Sequence, residues 1–217
     1  MEIKGEDHWI SFSGSYDVRA LGLSHRCTGE PELITMKRNV YTVAVVGASG
    51  IGKTSFVHKL CYGTIPLFYE PTIEDLHTAI VMTEMLDIVD TSSDSIAAPL
   101  RRATLQHADA VMFLYDAGNP ESTDSLPWQL EELCSVHLWQ DVSELPLICM
   151  VVGLRNGDVC SCPEGERFAH IWGLEHVTAN LQSAMSVRSV FEKCVFLIEE
   201  RAYSQHKEAK VSCCTIL

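Results

Sequence analysis

The segment "VVGASGIGKTS" (45–55) contains residue types that can bind phosphate. Its spacing, Gly47-x4-Gly52-Lys53-Thr54, matches the phosphate-loop pattern G-x-x-x-x-G-K-[ST]. The glycines allow backbone N–H groups to converge on phosphate oxygens at the start of a helix. Lys53 can neutralise the outer phosphates, and the Thr54 hydroxyl can occupy one position on Mg²⁺. The segment therefore predicts a site for a nucleotide.

Apolar strand-like runs alternate with helical patterns from residue 40 onward, and they place this loop between a strand and a helix. The predicted strands cover 41–46, 77–82, 85–89, 110–115 and 147–152. The predicted helices cover 53–61, 97–107, 121–139, 163–172 and 185–203. This alternation is typical of an α/β fold, a mostly parallel sheet with helices on both faces. Because "HTAIVM" (77–82) runs directly into "TEMLDIVD" (83–90), we expect one antiparallel edge.

Composition limits the classes of function. The 217 residues carry a formal net charge of −13, which disfavours binding to nucleic acid and to anionic lipid by the chain as a whole. Since no apolar run is long enough to span a bilayer and the N-terminus does not look like a secretory signal, we expect a cytoplasmic protein. Residues 1–38 are expected to be a flexible extension, 39–202 a globular domain and 203–217 a tail.

Five motifs in order along residues 40–202 resemble the Ras-like small GTPases. They are "GASGIGKTS" (47–55), "PTIED" (71–75), "DTSSD" (90–94), "VVGLRNGD" (151–158) and "VTANL" (177–181). In that family they correspond to the phosphate loop, the first switch, the second switch (D-T-A-G-Q), the guanine-specificity motif (N-K-x-D) and the S-A-K motif. The resemblance implies a phosphate-loop NTPase fold, the small-GTPase G domain, with a mostly parallel six-stranded sheet.

The resemblance also assigns roles to individual residues. The implied metal ligands, for Mg²⁺, are Thr54, Thr72 and Asp90. The implied catalytic positions are Lys53, Thr72 and Asp94. The implied contacts to GTP or GDP are Gly47, Ser49, Gly50, Ile51, Gly52, Lys53, Thr54, Ser55, Tyr69, Thr72, Ser93, Leu154, Arg155, Asp158, Thr178, Ala179 and Asn180. For Asp90, at the end of an apolar strand, the alternative is a helix N-cap.

The second switch departs from the family pattern in ways that bear on hydrolysis. Asp94 stands where the family has the Gln that orients the attacking water. A carboxylate is repelled by the γ-phosphate and cannot donate a hydrogen bond as an amide does. Ser93 replaces a Gly whose N–H contacts the γ-phosphate, and Ser49 replaces a loop glycine that lies close to an incoming arginine finger. We therefore expect slow and poorly stimulated GTP hydrolysis.

The base-recognition motif departs as well. Leu154, Arg155 and Gly157 stand at the family's Asn, Lys and Asp. Loss of the Asp removes the acceptor of two hydrogen bonds from guanine, which should weaken discrimination between bases. Asp158, one residue later, is an alternative acceptor if the loop is shifted, and Arg155 could stack its guanidinium on the base.

The remaining expectations concern partners. "CTIL" at the C-terminus fits a prenylation box, with Cys214 as the lipidated residue and Cys213 as a second candidate for acylation. This predicts a protein anchored to the cytoplasmic face of a membrane, the plasma membrane first. Effectors are expected to bind at Pro71, Thr72, Ile73, Glu74 and Asp75, with exchange and GTPase-activating factors as further partners. The alternative function is a non-hydrolysing pseudo-GTPase that acts as a constitutive interaction module.

Overall fold

The computed structural model describes residues 39–68, 72–139, 145–157 and 163–214, with side chains to residue 205. Its centre is a six-stranded sheet. The strands are β1 (Val40–Gly47), β2 (Glu74–Val81), β3 (Glu84–Thr91), β4 (Ala110–Asp116), β5 (Ile148–Arg155) and β6 (Glu175–Asn180). The helices are α1 (Lys53–Tyr62), α2 (Ala98–His107), α3 (Leu126–His137), α4 (Pro163–Ile171) and α5 (Ala184–Cys214).

The strand order is β2-β3-β1-β4-β5-β6. Only the pairing of β2 with β3 is antiparallel, and the other four pairings are parallel. The predicted α/β fold with one antiparallel edge is therefore confirmed. The β2–β3 hairpin is tight, since Val81 pairs with Glu84 and Met82 adopts a left-handed conformation with φ 57°.

Each face of the sheet is covered by its own apolar layer. One layer packs against α1 and α5 through buried side chains such as Phe56 and Phe191, whose rings stack with centroids 4.9 Å apart. The other layer packs against α2, α3 and α4 through residues such as Leu105, Leu133 and Ala169. Because β1 is buried between two parallel neighbours, its "VAVV" core can be apolar on both faces.

Two helix predictions differ from the structure. The pattern at 121–139 resolves into a 3-10 helix, Pro120–Ser125, and α3, which ends where Leu138 adopts φ 57°. The side chain of Asn119 accepts a hydrogen bond from the Glu121 N–H and so starts the 3-10 helix. Helix α5 extends to Cys214, well beyond the predicted end at 203, because the residues after Ala202 include strong helix formers although they lack apolar periodicity. Within the described ranges, no helix is long and apolar enough to cross a membrane.

Candidate nucleotide-binding site

The loop between β1 and α1 has the backbone geometry that its glycines predict. Gly50 and Gly52 adopt φ of 76° and 99°, in the left-handed region that L side chains rarely enter. A Cβ on Gly47 would lie 2.4 Å from Ile51 Cδ1 and 2.7 Å from the Leu114 carbonyl oxygen. The loop is thus folded tightly over the end of the sheet, and α1 begins directly after Gly52, so its first backbone N–H groups have no partner within the helix and no side-chain cap at Gly52.

Lys53 lies over this loop. Its ammonium donates to the carbonyl oxygens of Gly47 at 3.0 Å and Ala48 at 2.9 Å. Since an ammonium has three N–H donors, one remains beyond these two contacts for an anionic ligand. Burial lowers the pKa of Lys53, while the nearby Asp90 carboxylate raises it.

Three oxygen-bearing side chains converge beside Lys53 from three different elements. The Thr54 hydroxyl donates to Asp90 Oδ2 at 2.5 Å, and Thr54 Oγ1 lies 3.2 Å from Thr72 Oγ1. Asp90 is fully buried, and its Oδ1 has no hydrogen-bond partner among the described residues. Burial raises the pKa of Asp90, although its hydrogen bond from Thr54 and the charge of Lys53 act in the opposite direction.

This trio fits Mg²⁺ in its chemistry. An orphaned buried carboxylate oxygen next to two hydroxyls is a hard oxygen donor set, and a divalent cation would compensate the buried charge. When bound, the metal would neutralise charge on the phosphates. The alternative role for Asp90, a helix N-cap, is wrong in this structure, because Asp90 pairs with Val45 and Asp75 inside β3 and α2 begins later, at Ala98.

The second switch follows β3. Asp94 is exposed, and its Oδ1 accepts from the backbone N–H of Ile96 at 3.0 Å, while its own N–H donates to Ser92 Oγ at 3.1 Å. The Asp94 carboxylate thus makes hydrogen bonds within its own loop. Ser93 lies on the wall of the phosphate cavity.

A cavity of about 130 Å³ joins these parts. Its walls are formed by the phosphate loop, the first switch and the second switch: Ser49, Gly50, Gly52, Lys53, Thr54, Ser55, Thr72, Thr91, Ser92 and Ser93. Sequence reasoning did not select Thr91 or Ser92 as site residues. Thr91 donates to the Val45 carbonyl at 2.8 Å, which fixes the end of β3 against β1, and its place directly after Asp90 is the only signal that could have indicated it.

The predicted base-binding residues lie at the adjacent ends of β5 and β6. Leu154 and Ala179 are buried and pair with each other across the two strands. A Cβ on Gly52 would lie 3.7 Å from Leu154 Cδ1, so the leucine packs beside the phosphate loop through apolar contact. Gly157 has φ 88°, and a Cβ there would meet no atom of the described residues within 4 Å.

The loops that follow β5 and β6 form hydrogen bonds between their own polar groups. The Gln182 amide donates to Asn156 Oδ1 at 2.7 Å, which joins the two loops, and the Gln182 N–H donates to Asn180 Oδ1. Arg155 Nε is buried without a partner among the described residues. Thr178 is half-buried in β6. Asp158, the predicted alternative acceptor for guanine, lies outside the described ranges.

Other predicted site residues also lie outside the described residues. They are Tyr69, Pro71 and Asp158. Cys213 and Cys214 belong to α5, but their side chains are not among those described. The structure therefore brings together the phosphate and metal residues with Ser93 of the second switch, and it does not place Ile51 or Asp94 on the described wall of the cavity. The five predictions outside the described residues stay predictions.

Fold and site together define a class. A phosphate loop between a buried central strand and a helix, at the point where the strand order reverses, is the arrangement of phosphate-loop nucleotide-binding α/β proteins.

Comparison with known proteins narrows this class. The Ras family model matches residues 42–200. The mouse GTP-binding protein Di-Ras2 is 27% identical over 183 residues, covering 80% of this chain and 89% of that protein. The human GTP-binding protein Rhes is 31% identical over 144 residues, covering 61% and 53%, and the Dictyostelium discoideum Ras-related protein rapC is 30% identical over 158 residues, covering 66% and 56%.

The chain belongs to the Ras family. It is a small GTP-binding protein of the α/β type that its motifs predict. Proteins of this family bind GTP and GDP, generally with Mg²⁺, and are generally GTP hydrolases. They generally interact with effectors, exchange factors and GTPase-activating proteins.

Proposed function

We propose that this protein is a membrane-anchored signalling switch of the Ras type with slow intrinsic GTP hydrolysis. The observation that carries the proposal has two parts. The residues expected to bind phosphate and metal lie together, and the carboxylate at the expected catalytic position of the second switch is hydrogen-bonded within its own loop. The side chains that would bind the phosphates and the metal are those of Lys53, Thr54, Thr72 and Asp90. Asp94 does not supply the amide that would orient a water.

The roles of the binding residues follow from their chemistry. Lys53 would neutralise the terminal phosphates, and Thr54, Thr72 and Asp90 would hold the metal directly or through water. Because Thr72 comes from the segment before β2, its contact with the metal would close the first switch only around a triphosphate. The backbone N–H of Ser93 would contact the γ-phosphate.

Single-turnover hydrolysis tests the slow step. Protein loaded with Mg·GTP is compared with Asp94→Gln, which restores an amide of the right length, and with Asp94→Asn, which removes the charge but is one methylene shorter. We expect Asp94→Gln to raise the rate by about 10-fold to 100-fold, up to the contribution of one positioned hydrogen-bonding group. We expect Asp94→Asn to change it less. An unchanged rate in Asp94→Gln would contradict the assignment.

The outer edge of β2 is the proposed effector surface. β2 is an edge strand; the exposed Ile73 directly precedes it, and the exposed Asp75 is its second residue. An extended partner strand could add to this edge through main-chain hydrogen bonds. Glu74 contributes less than its charge suggests, because its Oε1 already accepts from Thr104 Oγ1 at 2.7 Å. Asp75 is therefore the acidic residue that favours a basic partner surface.

This surface can be tested with the same nucleotide-loaded protein. Partners captured from a cell extract on Mg·GTP-loaded protein should be absent from the Mg·GDP-loaded form and from Asp75→Lys. Asp87→Lys, on the neighbouring strand β3, is the matched charge control. Equal capture by all four samples would contradict the use of the β2 edge.

The lipid anchor is proposed from the C-terminal "CTIL". A geranylgeranyl group on Cys214 would give marginal membrane binding, and a palmitoyl group on Cys213 would make it stable. We expect the mass of the protein from eukaryotic cells to include both groups and Cys214→Ser to lose both, with transfer from the plasma membrane to the soluble fraction. Unmodified Cys214 in membrane-bound protein would contradict this anchor.

The base site favours a second candidate, a non-hydrolysing pseudo-GTPase that acts as an interaction module. Leu154 is apolar and buried where the family has a polar side chain, and Gly157 has no side chain to accept hydrogen bonds from guanine. Competition of GTP and ATP for the bound nucleotide distinguishes the two. A strong preference for GTP supports the switch, and equal competition supports the module.

A further inference from the structure

A buried charge with several hydrogen bonds lies outside the phosphate site, the Arg101 guanidinium on α2. Its side chain is 7% exposed, and it makes two hydrogen bonds to the Glu132 carboxylate on α3, at 2.8 and 3.0 Å. Glu132 is 9% exposed on its side chain. The Trp128 ring lies 5.8 Å from the guanidinium carbon and covers it on one side. Such a two-point pair fixes the relative position of the two helices at this level.

The same guanidinium also contacts the second switch. Arg101 Nη1 donates to the Ser92 carbonyl at 2.7 Å and to the Asp94 carbonyl at 3.2 Å. These two carbonyls flank Ser93, which lies on the wall of the phosphate cavity. The backbone position of Ser93 is therefore determined from both sides by a cation that is itself anchored on α3.

Several other polar groups of the loop are paired within the protein. The Ala97 N–H donates to the Asp94 carbonyl at 3.2 Å, and the Arg101 N–H donates to the Ala97 carbonyl at 3.0 Å. The Asp94 side chain accepts from Ile96. These hydrogen bonds join the segment to itself as it runs from β3 into α2.

We propose that Arg101 is a positioning residue that, through its ion pair with Glu132, holds the second switch (residues 91–97) in one conformation whichever nucleotide is bound. The proposal rests on nucleotide binding, which family membership supports, and not on the rate of hydrolysis. Only the first switch, through Thr72, would then change its conformation with the γ-phosphate, whereas the Ser93 N–H of the second switch would meet that phosphate already in position.

The balance of interactions supports this rigidity. If the loop moved away, the guanidinium would lose two charge-assisted hydrogen bonds to carbonyl groups. Losses of that kind correspond to a change of roughly 10²- to 10⁴-fold in the equilibrium between the two positions. A nucleotide can shift this equilibrium only by its differential affinity for the two loop positions.

Hydrogen exchange of the full chain tests the proposal, with Mg·GDP compared with Mg²⁺ and a non-hydrolysable GTP analogue. In the unmodified protein, we expect the exchange rate of the Ala97 amide to differ by no more than about twofold between the two nucleotide states, and the same for the Arg101 amide. In Glu132→Gln, which removes the charge but keeps the shape, we expect their exchange to become nucleotide-dependent by about tenfold or more. Glu131→Gln, at the exposed neighbouring position, is the control and should behave like the unmodified protein.

A second variant covers the case in which Glu132→Gln folds poorly. Arg101→Lys keeps the positive charge but cannot reach both Glu132 and the two loop carbonyls in the same way, so it should also create nucleotide dependence. A purely structural role would lower protection equally in both nucleotide states. The proposal is overturned if the unmodified protein already shows a tenfold difference at Ala97 and Arg101, or if both variants leave the two states alike. Failure of nucleotide binding itself is detected separately, as nucleotide absent from the loaded sample.

Discussion

The burial of the Asp90 carboxylate opposes the stability of the protein without nucleotide, and the variant Asp90→Asn tests that cost. The carboxylate is fully buried, accepts one hydrogen bond from Thr54 and leaves Oδ1 without a partner among the described residues. A buried unsatisfied polar group costs about 1–3 kcal/mol. Asparagine keeps an oxygen that can accept from Thr54 and replaces the charged, unpaired Oδ1 by a neutral amide group, which costs less to bury unpaired. The pKa of Asp90 is raised even with the opposing attraction of Lys53 included, so removal of the charge should be favourable. We therefore expect Asp90→Asn to be more stable than the unmodified protein by up to about that amount without nucleotide.

The effect has a defined pH dependence. Burial raises the pKa of Asp90 above its ordinary value, so the folded state binds the proton more tightly than the unfolded state. The free energy of unfolding should then decrease as pH rises from about 3.8 through the raised pKa and stay low above it. The Asn variant lacks this loss, so its advantage is complete at neutral pH.

Thermal unfolding in EDTA at pH 7 measures the stability without ligand, and a second measurement with Mg·GDP shows how much the ligand adds. For a chain of this length 1 kcal/mol corresponds to roughly 2–4 °C, so the variant should unfold about 2–12 °C higher without nucleotide. With Mg·GDP the difference in unfolding temperature between Asp90→Asn and the unmodified protein should become smaller or change sign. A 100-fold loss of affinity in the variant would remove about 2.7 kcal/mol of its stabilisation by the ligand.

Asp87→Asn is the matched control on the same strand, since Asp87 is half-buried and bonded to Thr78 at the surface. It should be no more stable than the unmodified protein and should keep its full response to Mg·GDP. The reasoning is refuted if Asp90→Asn is less stable than the unmodified protein in EDTA, or if its response to Mg·GDP is undiminished.

Three further predictions concern the loop, the pH response and the base site. Gly47→Ala places a Cβ 2.7 Å from the Leu114 carbonyl, a contact with rigid backbone, so urea unfolding should show a loss of about 1–3 kcal/mol. Burial lowers the pKa of His77, so the free energy of unfolding should fall as pH drops from about 6.5 towards that lowered pKa. In acid titrations, His77→Gln should reduce the slope of this free energy with pH. The slope that remains should come from His176, whose pKa burial also lowers. Gly157→Asp adds a Cβ that meets no described atom within 4 Å, although a φ of 88° strains any side chain there. Competition binding should show an increased preference for GTP over ATP, whereas an unchanged ratio would place base recognition elsewhere.

Much of the fold could be predicted from local patterns. The buried strand before the phosphate loop, the alternation of strands and helices, and the direct succession of 77–82 and 83–90 gave the sheet and its antiparallel edge, because each pattern depends on nearest neighbours in sequence. β6 was different. Its "EHVTAN" is largely half-buried at an edge and shows no apolar run, so only its resemblance to a family motif indicated it.

The site was predictable where one motif contained it and unpredictable where distant elements met. Lys53 and Thr54 follow from the loop spacing, and Thr72 and Asp90 from the family resemblance. The pairing of Arg101 with Glu132 joins residues on two helices, and no pattern within either helix distinguishes Glu132 from the neighbouring, exposed Glu131. The hydrogen bond of the Asp94 carboxylate within its own loop likewise depends on loop geometry that the residue type does not specify.

The central claim is that the protein binds GTP and hydrolyses it slowly. The most direct test is to purify the full chain from cells without added nucleotide, denature it and separate the released nucleotide by chromatography. The account predicts mostly GTP. Mostly GDP would mean that Asp94 has not impaired hydrolysis, and ATP and GTP in similar amounts would mean that Gly157 has removed base discrimination; either result would contradict the account.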